Sequence, residues 1–559
     1  MISLKASSAL LGAALALVAC GTPANPGRPA APATAPMRRR AAVDPAQVER
    51  SVARFDAAMA RDGGDPRGPT VGPLLDEIAA SLAAACLTNE LEPKTRSRVI
   101  KLLAEARDRR GAPCLVGILE RYRPGDDADD IRAAAHAAHV MKLSAASSPL
   151  LEIFTTLRAS HPNGAAVVRE VHDASLALAN AAWEPRLLAL VERPMSPELS
   201  VEARNDEVFW QITAAEALGA LGSTKAVPPL IHAVLSREKA EIAPIALTAL
   251  VHIGKPAVAP AIALLRSDTN ETTPAGAERS RRETGALILA AIGREEATPH
   301  LLEVMRSADL TTRTFLAGEI VKLPRTPATV KAFQSAYELA PIAPPPRAEG
   351  RGREALLAAL PQLFDATLTP WIVSTAMEAK GGAADVEAVR GASLIAAMKL
   401  MTVDQASVVE KLLRIRIGAP KGKPITLRQV FHRDYQLAAA LVTACAAEVA
   451  CYLKTLSEPT SQALETQFRG VKAATMVGIL GGAGDAMRLA DQMPALYNAT
   501  VRLAALLAMD HLAPQGNQEV AQRLEALLEK AGAAAGSERP SGVDPAMKIL
   551  LYRLLARTQ

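Results

Sequence analysis

The chain has 559 residues, well above the length at which a domain needs disulfides or metals to stabilise its core. Lysine and arginine (63) nearly balance aspartate and glutamate (58), so the formal net charge is only +5. A charge this small excludes bulk attraction to nucleic acid, and we expect no nucleic-acid partner. Aromatic residues make up 3% of the chain while alanine and leucine dominate, which is typical of helices packed through small side chains.

The first twenty residues combine a positive charge, an apolar run and a cysteine. Lys5 supplies the positive charge, and residues 6–16 form an apolar run of signal-peptide length that is too short to span a membrane. Residues 17–20 (Leu-Val-Ala-Cys) then match the lipobox, so this stretch resembles the signal peptide of a bacterial lipoprotein. The resemblance implies that residues 1–19 are removed and that Cys20 becomes the lipidated first residue. An ordinary secretory signal followed by a chance cysteine is the alternative.

Residues 20–45 are rich in proline and alanine and carry few large apolar groups. Such a segment cannot bury enough surface to fold, so we predict a disordered tether between the lipidated Cys20 and the folded body. Gly21, rather than an aspartate, follows the cysteine. By resemblance to enteric lipoproteins this favours the outer membrane of the cell envelope, with the folded part facing the periplasm.

Two helix pairs built on one plan occupy residues 212–265. Apolar residues recur every three to four positions along each predicted helix. Gly222 ends the first helix at a position suited to the left-handed conformation. Pro228 and Pro229 lie in the first turn of the second helix, where a missing N–H costs little. Gly254 ends the third helix, 32 residues after Gly222, so the two pairs are repeats.

The same plan extends in both directions. Gly293 is the next helix stop, after a polar stretch at 267–282 that we expect to project from one edge. A Pro/Gly/Arg-rich break at 341–353 predicts the boundary between an N-terminal solenoid arm (46–340) and a C-terminal arm (354–559). On the N-terminal side, apolar runs that open the second helix of a pair recur after 35, 37 and 43 residues, at Leu115, Leu150, Leu187 and Leu230.

Residues 217–231 (ALGALGSTKAVPPLI) resemble HEAT repeats in the short bacterial form also found in phycobilisome-lyase-type proteins. The match covers about 212–306. The resemblance implies an all-α fold, an α-solenoid of antiparallel helix pairs forming a HEAT-like superhelix. It also implies a scaffold or binding surface, and it supplies no catalytic residues. Tetratricopeptide repeats fit less well because their Trp, Tyr and Phe signature positions are missing.

Four cysteines remain when Cys20 is set aside, and an even number permits disulfides outside the cytoplasm. Three connectivities are open. Local geometry favours Cys445–Cys451 if the chain turns between two helices there, and Cys86–Cys114 if adjacent antiparallel helices place them opposite each other. A metal site or redox pair is the alternative, although no Cys-x-x-Cys occurs.

Sequence motifs for catalysis are missing. His136 and His139 lie on one helical face at a spacing that can supply two metal ligands, but no Glu or Cys partner stands at a motif distance. Neither a phosphate-binding Gly-rich loop with its Gly-Lys-Ser/Thr ending, nor Gly-x-Ser-x-Gly, nor His-Glu-x-x-His occurs. We therefore predict no catalytic residues, no metal, no cofactor and no enzymatic activity.

One charge cluster stands out. Between residues 414 and 433 there are six basic residues and no acidic one: Arg414, Arg416, Lys421, Lys423, Arg428 and Arg433. Prolines mark part of this stretch as a loop. In an envelope protein it can bind lipid head groups, anionic glycans or an acidic protein, and a solvated loop without a partner is the alternative.

These observations favour a lipid-anchored scaffold that mediates protein–protein interaction in the envelope. Its partners would be proteins on the solenoid surface and, through the lipid, the membrane. A binder of anionic lipids or glycans through residues 414–433 is the second hypothesis. A lyase-type enzyme is the third, suggested only by the repeat resemblance and lacking an acid–base pair at a defined spacing.

Overall fold

The fold comes from a computed structural model. It describes residues 44–65, 68–86, 88, 91–123, 128–266, 281–342, 352–380, 383–418, 425–457, 464–496, 498–514, 517–534 and 550–555. The predicted signal peptide, the lipidation site Cys20 and the tether up to residue 43 lie outside the described residues.

The described residues form 27 α-helices, a further helical segment at 550–555 and one short hairpin. The first helices are α1 (Pro45–Arg61), α2 (Val71–Cys86), α3 (Pro93–Ala106), α4 (Ala112–Glu120), α5 (Ala128–Met141), α6 (Ser147–Thr156), α7 (Pro162–Ala165), α8 (Val168–Leu178), α9 (Glu184–Glu192), α10 (Val201–Ala220), α11 (Val227–Leu235), α12 (Ala243–Ile253) and α13 (Lys255–Arg266). Then come α14 (Arg281–Ile292), α15 (Ala297–Ser307), α16 (Leu310–Ile320), α17 (Pro327–Leu339), α18 (Arg353–Ala359), α19 (Thr369–Glu378), α20 (Ala383–Leu400), α21 (Ala406–Leu413), α22 (Leu427–Cys445), α23 (Val449–Ser457), α24 (Leu464–Leu480), α25 (Ala483–Gln492), α26 (Ala499–Leu512) and α27 (Gln518–Ala534). The strands β1 (Arg416–Ile417) and β2 (Ile425–Thr426) pair antiparallel.

The helices alternate between two layers. In the first layer α10 packs on α12, α12 on α14, and α14 on α16. In the second layer α9 packs on α11, α11 on α13, and α13 on α15. Helices that follow each other in sequence, such as α11 and α12, pack across the layers. This is the arrangement of an α-solenoid, and it confirms the predicted all-α solenoid fold.

The helix boundaries follow the predicted local signals. Gly222, Gly254 and Gly293 all have positive φ, at 62°, 71° and 71°, which a residue without Cβ adopts at little cost. The helices α4, α6, α9 and α11 each begin three residues before the leucine predicted to open them. Each follows directly on a single 3₁₀ turn. The recurring turn and helix make one repeat unit of the second layer.

The apolar core continues across the predicted break at 341–353. One cluster of buried residues runs from Val48 to Ala438, and a second runs from Phe364 to Leu554. Arg353, the first residue of α18, donates hydrogen bonds to backbone carbonyls at the end of α17, including that of Ala340 at 3.0 Å. The break therefore separates two stretches of sequence but not two cores.

The end of the chain packs back on the middle of the solenoid. Residues 550–555 are helical, and we call them the C-terminal segment. The ring of Tyr552 stacks on His252 of α12 with centroids 4.3 Å apart. Arg553 forms an ion pair with Asp510 of α26 and donates to the carbonyl of Ala290 in α14 at 3.3 Å. The segment thus joins helices more than two hundred residues apart in sequence.

Substitution of two helical glycines tests how closely the layers are packed. A Cβ at Gly285 in α14 would lie 2.5 Å from the backbone nitrogen of Leu265, whereas a Cβ at Gly318 in α16 would have nothing within 4 Å. We expect Gly285→Ala to lower the unfolding free energy by about 1–3 kcal/mol, because α13 must move away. Gly318→Ala should raise it by about 0.5–1 kcal/mol, because alanine restricts the unfolded chain. Thermal melting shows whether each variant is more or less stable than the native protein. Changes of the melting temperature in the same direction for both variants would contradict this packing.

Candidate functional site

The four cysteines available for bridges form two disulfides. Cys86 ends α2 and lies opposite Cys114 in α4, with their Cα atoms 5.9 Å apart. Cys445 ends α22, the chain reverses at Ala446 with a φ of 47°, and Cys451 returns to a Cα separation of 5.4 Å. These are the pairings that local geometry favours in the sequence. Sulfurs held in disulfides cannot act as metal-binding thiolates unless they are first reduced.

The basic stretch 414–433 contains a hairpin and part of a helix. Arg416 lies exposed in β1, opposite Thr426 of β2. The next residue after β1, Gly418, donates its backbone N–H to Glu387 of α20 at 2.5 Å. Lys421 and Lys423 lie outside the described residues.

Two carboxylates from outside the stretch offset part of its charge. Arg428 contacts Glu410 at 2.7 Å, and Arg414 approaches the same carboxylate at 4.0 Å. Arg433 forms an ion pair with Glu465 of α24. Three of the four described arginines therefore have an acidic partner. Binding of anionic lipids or glycans through this stretch stays a prediction, with less uncompensated charge available for it than the sequence indicated.

His136 and His139 both lie on α5 but differ in environment. His136 is exposed, and His139 is half-buried, so burial lowers its pKa. Among the described residues there is no group of three or more His, Cys, Asp or Glu side chains placed to hold a metal ion.

A half-buried charged cluster that the sequence did not reveal links α8 to α10. The Nε2 of His172 lies 2.6 Å from an oxygen of Glu216, and its Nδ1 lies 3.1 Å from an oxygen of Asp173. Burial disfavours the imidazolium, but the hydrogen bonds and negative charges of the two carboxylates outweigh it and raise the pKa of His172 to about 9. His172 is therefore charged at neutral pH. No sequence spacing pointed to this pair, because 44 residues separate His172 from Glu216.

Two buried lysines also link neighbouring repeats. Lys239 donates to the side-chain oxygen of Gln211 at 3.0 Å, and Lys472 donates to the carbonyls of Lys399 and Met401 at 2.9 and 2.6 Å. Burial lowers the pKa of both ammonium groups. Lys472 has no exposed surface, so it cannot reach a substrate. We interpret both as structural contacts that hold the ends of helices together.

One open cleft of about 540 Å³ lies between the end of α4 and the side of α6. Two of its three charged side chains have partners: Glu152 forms an ion pair with Arg186 of α9, and Arg123 donates to the carbonyl of Tyr122 at 2.8 Å. The cleft is a groove between repeats. No helix in the described part of the chain is both long and apolar enough to cross a membrane.

Comparison with known proteins does not assign the chain to a family. No protein-family model matches the chain, and no curated protein matches it. Among solved structures, it resembles a crystal structure of a Kap121p mutant, with 14% sequence identity and a TM-score of 0.29. The alignment covers 89% of this chain and 62% of that chain, so this chain spans less than two thirds of the other's length. A likeness this low carries no argument, and the fold assignment rests on the helix packing.

Because His172 is charged in the folded protein, we expect part of the folding stability to be lost at alkaline pH. Its folded pKa of about 9 is above the unfolded value of about 6.5, so its stabilisation is complete below pH 6.5 and is lost as the pH rises through 9. The melting temperatures of the native protein and of His172→Gln should differ most at pH 6 and converge towards pH 10. Gly318→Ala, which removes no titrating group, is the control, and its shift in melting temperature should be the same at every pH. If the melting temperatures of His172→Gln and the native protein differed by the same amount at every pH, this would contradict the charged state of His172.

Proposed function

We propose that this protein is a scaffold that binds other proteins along its solenoid surface. The observation that carries the proposal is the two-layered stack of helices with a core that runs on from repeat to repeat. Such a stack buries one face of each helix and leaves the other faces in rows, which suits extended contact with a partner. Among the described residues, the four disulfide-bonded cysteines, Lys239, Lys472 and His172 all have structural partners, and the exposed rows of helices offer a surface for binding.

The cell envelope is the proposed location. Residues 17–20 match a lipobox, and the resemblance implies a lipid on Cys20 and a periplasm-facing body. Several acyl chains on one cysteine anchor a protein firmly to a membrane, whereas a single chain binds a membrane only weakly. The disulfides Cys86–Cys114 and Cys445–Cys451 support this location, because disulfides persist in oxidising compartments and are rare in the cytosol.

Site-specific photo-crosslinking tests the scaffold role. Leu339 of α17 and Met377 of α19 are each 51% exposed, and ring contact between Tyr337 and Trp371 shows that these two helices are neighbours. A photoreactive residue at position 339 or 377 should capture the same protein in native envelopes, and the adducts should survive washing in high salt. Val201, 71% exposed at the start of α10, is a control site on another helix.

Two results would contradict the scaffold proposal. One is an absence of protein adducts from both position 339 and position 377, although the variants fold and reach the envelope. The other is capture of lipid or glycan alone through contacts that high salt abolishes, since screening by salt removes weak surface electrostatics. The second result would favour the anionic-polymer hypothesis instead.

The anchor is tested by replacing Cys20. Cys20→Ala should move the protein from the membrane fraction to the soluble fraction, because no lipid can be attached to alanine. Gly21→Asp keeps the cysteine and should keep the protein in membranes, so it is the matched control. Fractionation followed by immunoblotting measures both. Equal membrane retention of Cys20→Ala and the native protein would refute anchoring at this residue.

A further inference from the structure

The two disulfides differ in how closely solvent approaches them. Cys86 and Cys114 are 1% and 0% exposed, so their bridge lies inside the core. Cys445 is 2% exposed, but Cys451 is partly exposed, and residues 446–448 between them are exposed. A disulfide reacts with a thiol only when the thiolate can reach one of its two sulfurs. Of the two bridges, the one between residues 445 and 451 is therefore the one that a thiolate can approach.

The turn inside the 445–451 bridge holds an alanine in an unfavourable backbone conformation. Ala446 has a φ of 47° and a ψ of −115°. The N–H of Glu448 donates to the carbonyl of Cys445 at 2.9 Å, which makes Ala446 the first central residue of a type II′ turn, a position that favours glycine. Such a conformation persists only where the surrounding structure imposes it. The bridge is part of that surrounding structure, because it ties the residue before Ala446 to α23.

Other contacts keep this corner folded when the bridge opens. The buried Tyr452 donates its hydroxyl to the carbonyl of Ala446 at 2.9 Å, and it lies in the same apolar cluster as Val442 of α22. The bridge also spans a sequence separation of only 6 residues, against 28 for Cys86–Cys114. A shorter closed loop restricts the unfolded chain less, so less stability is lost with the bridge. Reduction should therefore loosen the turn between α22 and α23 while the two helices stay packed.

We propose that the 445–451 bridge is a thiol–disulfide exchange site whose reaction partner is a dithiol carried by another protein. A thiolate of the dithiol attacks the Sγ of Cys451. An S–S bond forms between them, the bond to Cys445 breaks, and the Cys445 thiolate takes up a proton. The second thiol loses its proton and attacks the dithiol's own sulfur in the mixed disulfide, which releases the Cys451 thiolate to be protonated in turn. The dithiol becomes a disulfide, and two electrons and two protons pass to the bridge.

The position of Cys451 in its helix favours the second step. Cys451 is the third residue of α23, so its thiolate forms in the first turn, where the helix dipole stabilises negative charge. Once the bridge is open, Ala446 can leave its unfavourable conformation. Oxidation restores the bridge and the turn. The scaffold thus carries one corner whose conformation follows the supply of dithiols in its compartment.

Reduction of the native protein tests this inference without any substitution. The intact protein is incubated with dithiothreitol, free thiols are alkylated at intervals, and the labelled cysteines are identified by peptide mass spectrometry. We expect Cys445 and Cys451 to be labelled at least about 10-fold faster than Cys86 and Cys114, because exposure governs access of the thiolate. Thermal melting measured in parallel should remain cooperative. Equal rates for the two bridges, or reduction of 445–451 only when the protein unfolds, would overturn the inference.

Single cysteine variants test which sulfur is attacked. Cys445→Ser leaves the Cys451 thiol free, and Cys451→Ser leaves the Cys445 thiol free. In the folded state N-ethylmaleimide should label the first variant at least about 10-fold faster than the second, because Cys445 is buried. Equal labelling, or faster labelling of Cys445, would contradict attack at Cys451. If either variant does not fold, the reduction rates of the native protein decide the inference.

A glycine in the turn tests the role of the backbone conformation. Ala446→Gly removes the unfavourable contact in the oxidised protein, so the equilibrium constant for reduction by dithiothreitol should fall about 10-fold, equivalent to a potential about 30 mV more negative. Ala447→Gly is the matched control, because Ala447 is exposed in the same turn and lacks a positive φ. Equal effects of the two substitutions would show that the conformation of Ala446 does not promote reduction.

The outcomes for the exchange site and for the scaffold are separable. A 445–451 bridge that resists dithiothreitol would leave a partner captured by photo-crosslinking as evidence for the scaffold. Selective reduction of this bridge supports the exchange site whether or not positions 339 and 377 capture a protein.

Discussion

Close approach of neighbouring helices at small residues is the constraint on which the structure depends. Gly219 of α10 lies so near α12 that a Cβ there would be 2.9 Å from the Cα of Ala249. Gly285 of α14 packs in the same manner against α13. Each repeat buries its apolar face only because the next one fits closely on it, so no repeat is expected to be stable alone. The abundance of alanine and the scarcity of aromatic residues follow from this packing.

Buried and half-buried polar contacts help to specify which helices pack together. Alanine-rich faces resemble one another, so they specify weakly which helix should meet which. His172 between two carboxylates, and Lys472 against the carbonyls after α20, each require one particular partner. A buried polar group without a partner is unfavourable, so a repeat that stacked in the wrong register would lose these contacts and be destabilised. We interpret these polar contacts as features that select one stacking arrangement.

The parts of the fold that depend on nearby residues were predictable. Gly222, Gly254 and Gly293 end helices because of their own backbone freedom, and the favoured cysteine pairs follow from helices that are adjacent in sequence. Contacts between distant residues could not be predicted. Nothing local to Arg553 indicates that Asp510 and Ala290 will surround it.

The charge surrounding the basic stretch 414–433 likewise could not be predicted from the residues within it. Within residues 414–433 the sequence contains no acidic residue, and this suggested an uncompensated patch. Folding brings Glu410 and Glu465 against its arginines from just before and well after the window. The proline-rich break at 341–353 is similar, because helices on its two sides share one core despite the change in composition. Composition locates such segments, but the three-dimensional neighbours decide their role.

The central claim is that the chain is one continuous solenoid whose end is packed into its own middle. Hydrogen exchange measured by mass spectrometry on the intact oxidised protein tests it most directly. We expect amides of the C-terminal segment to exchange as slowly as those of α12 and α26, because all three belong to one packed unit. Exchange of residues 550–555 within seconds, with α12 and α26 still protected, would contradict the account.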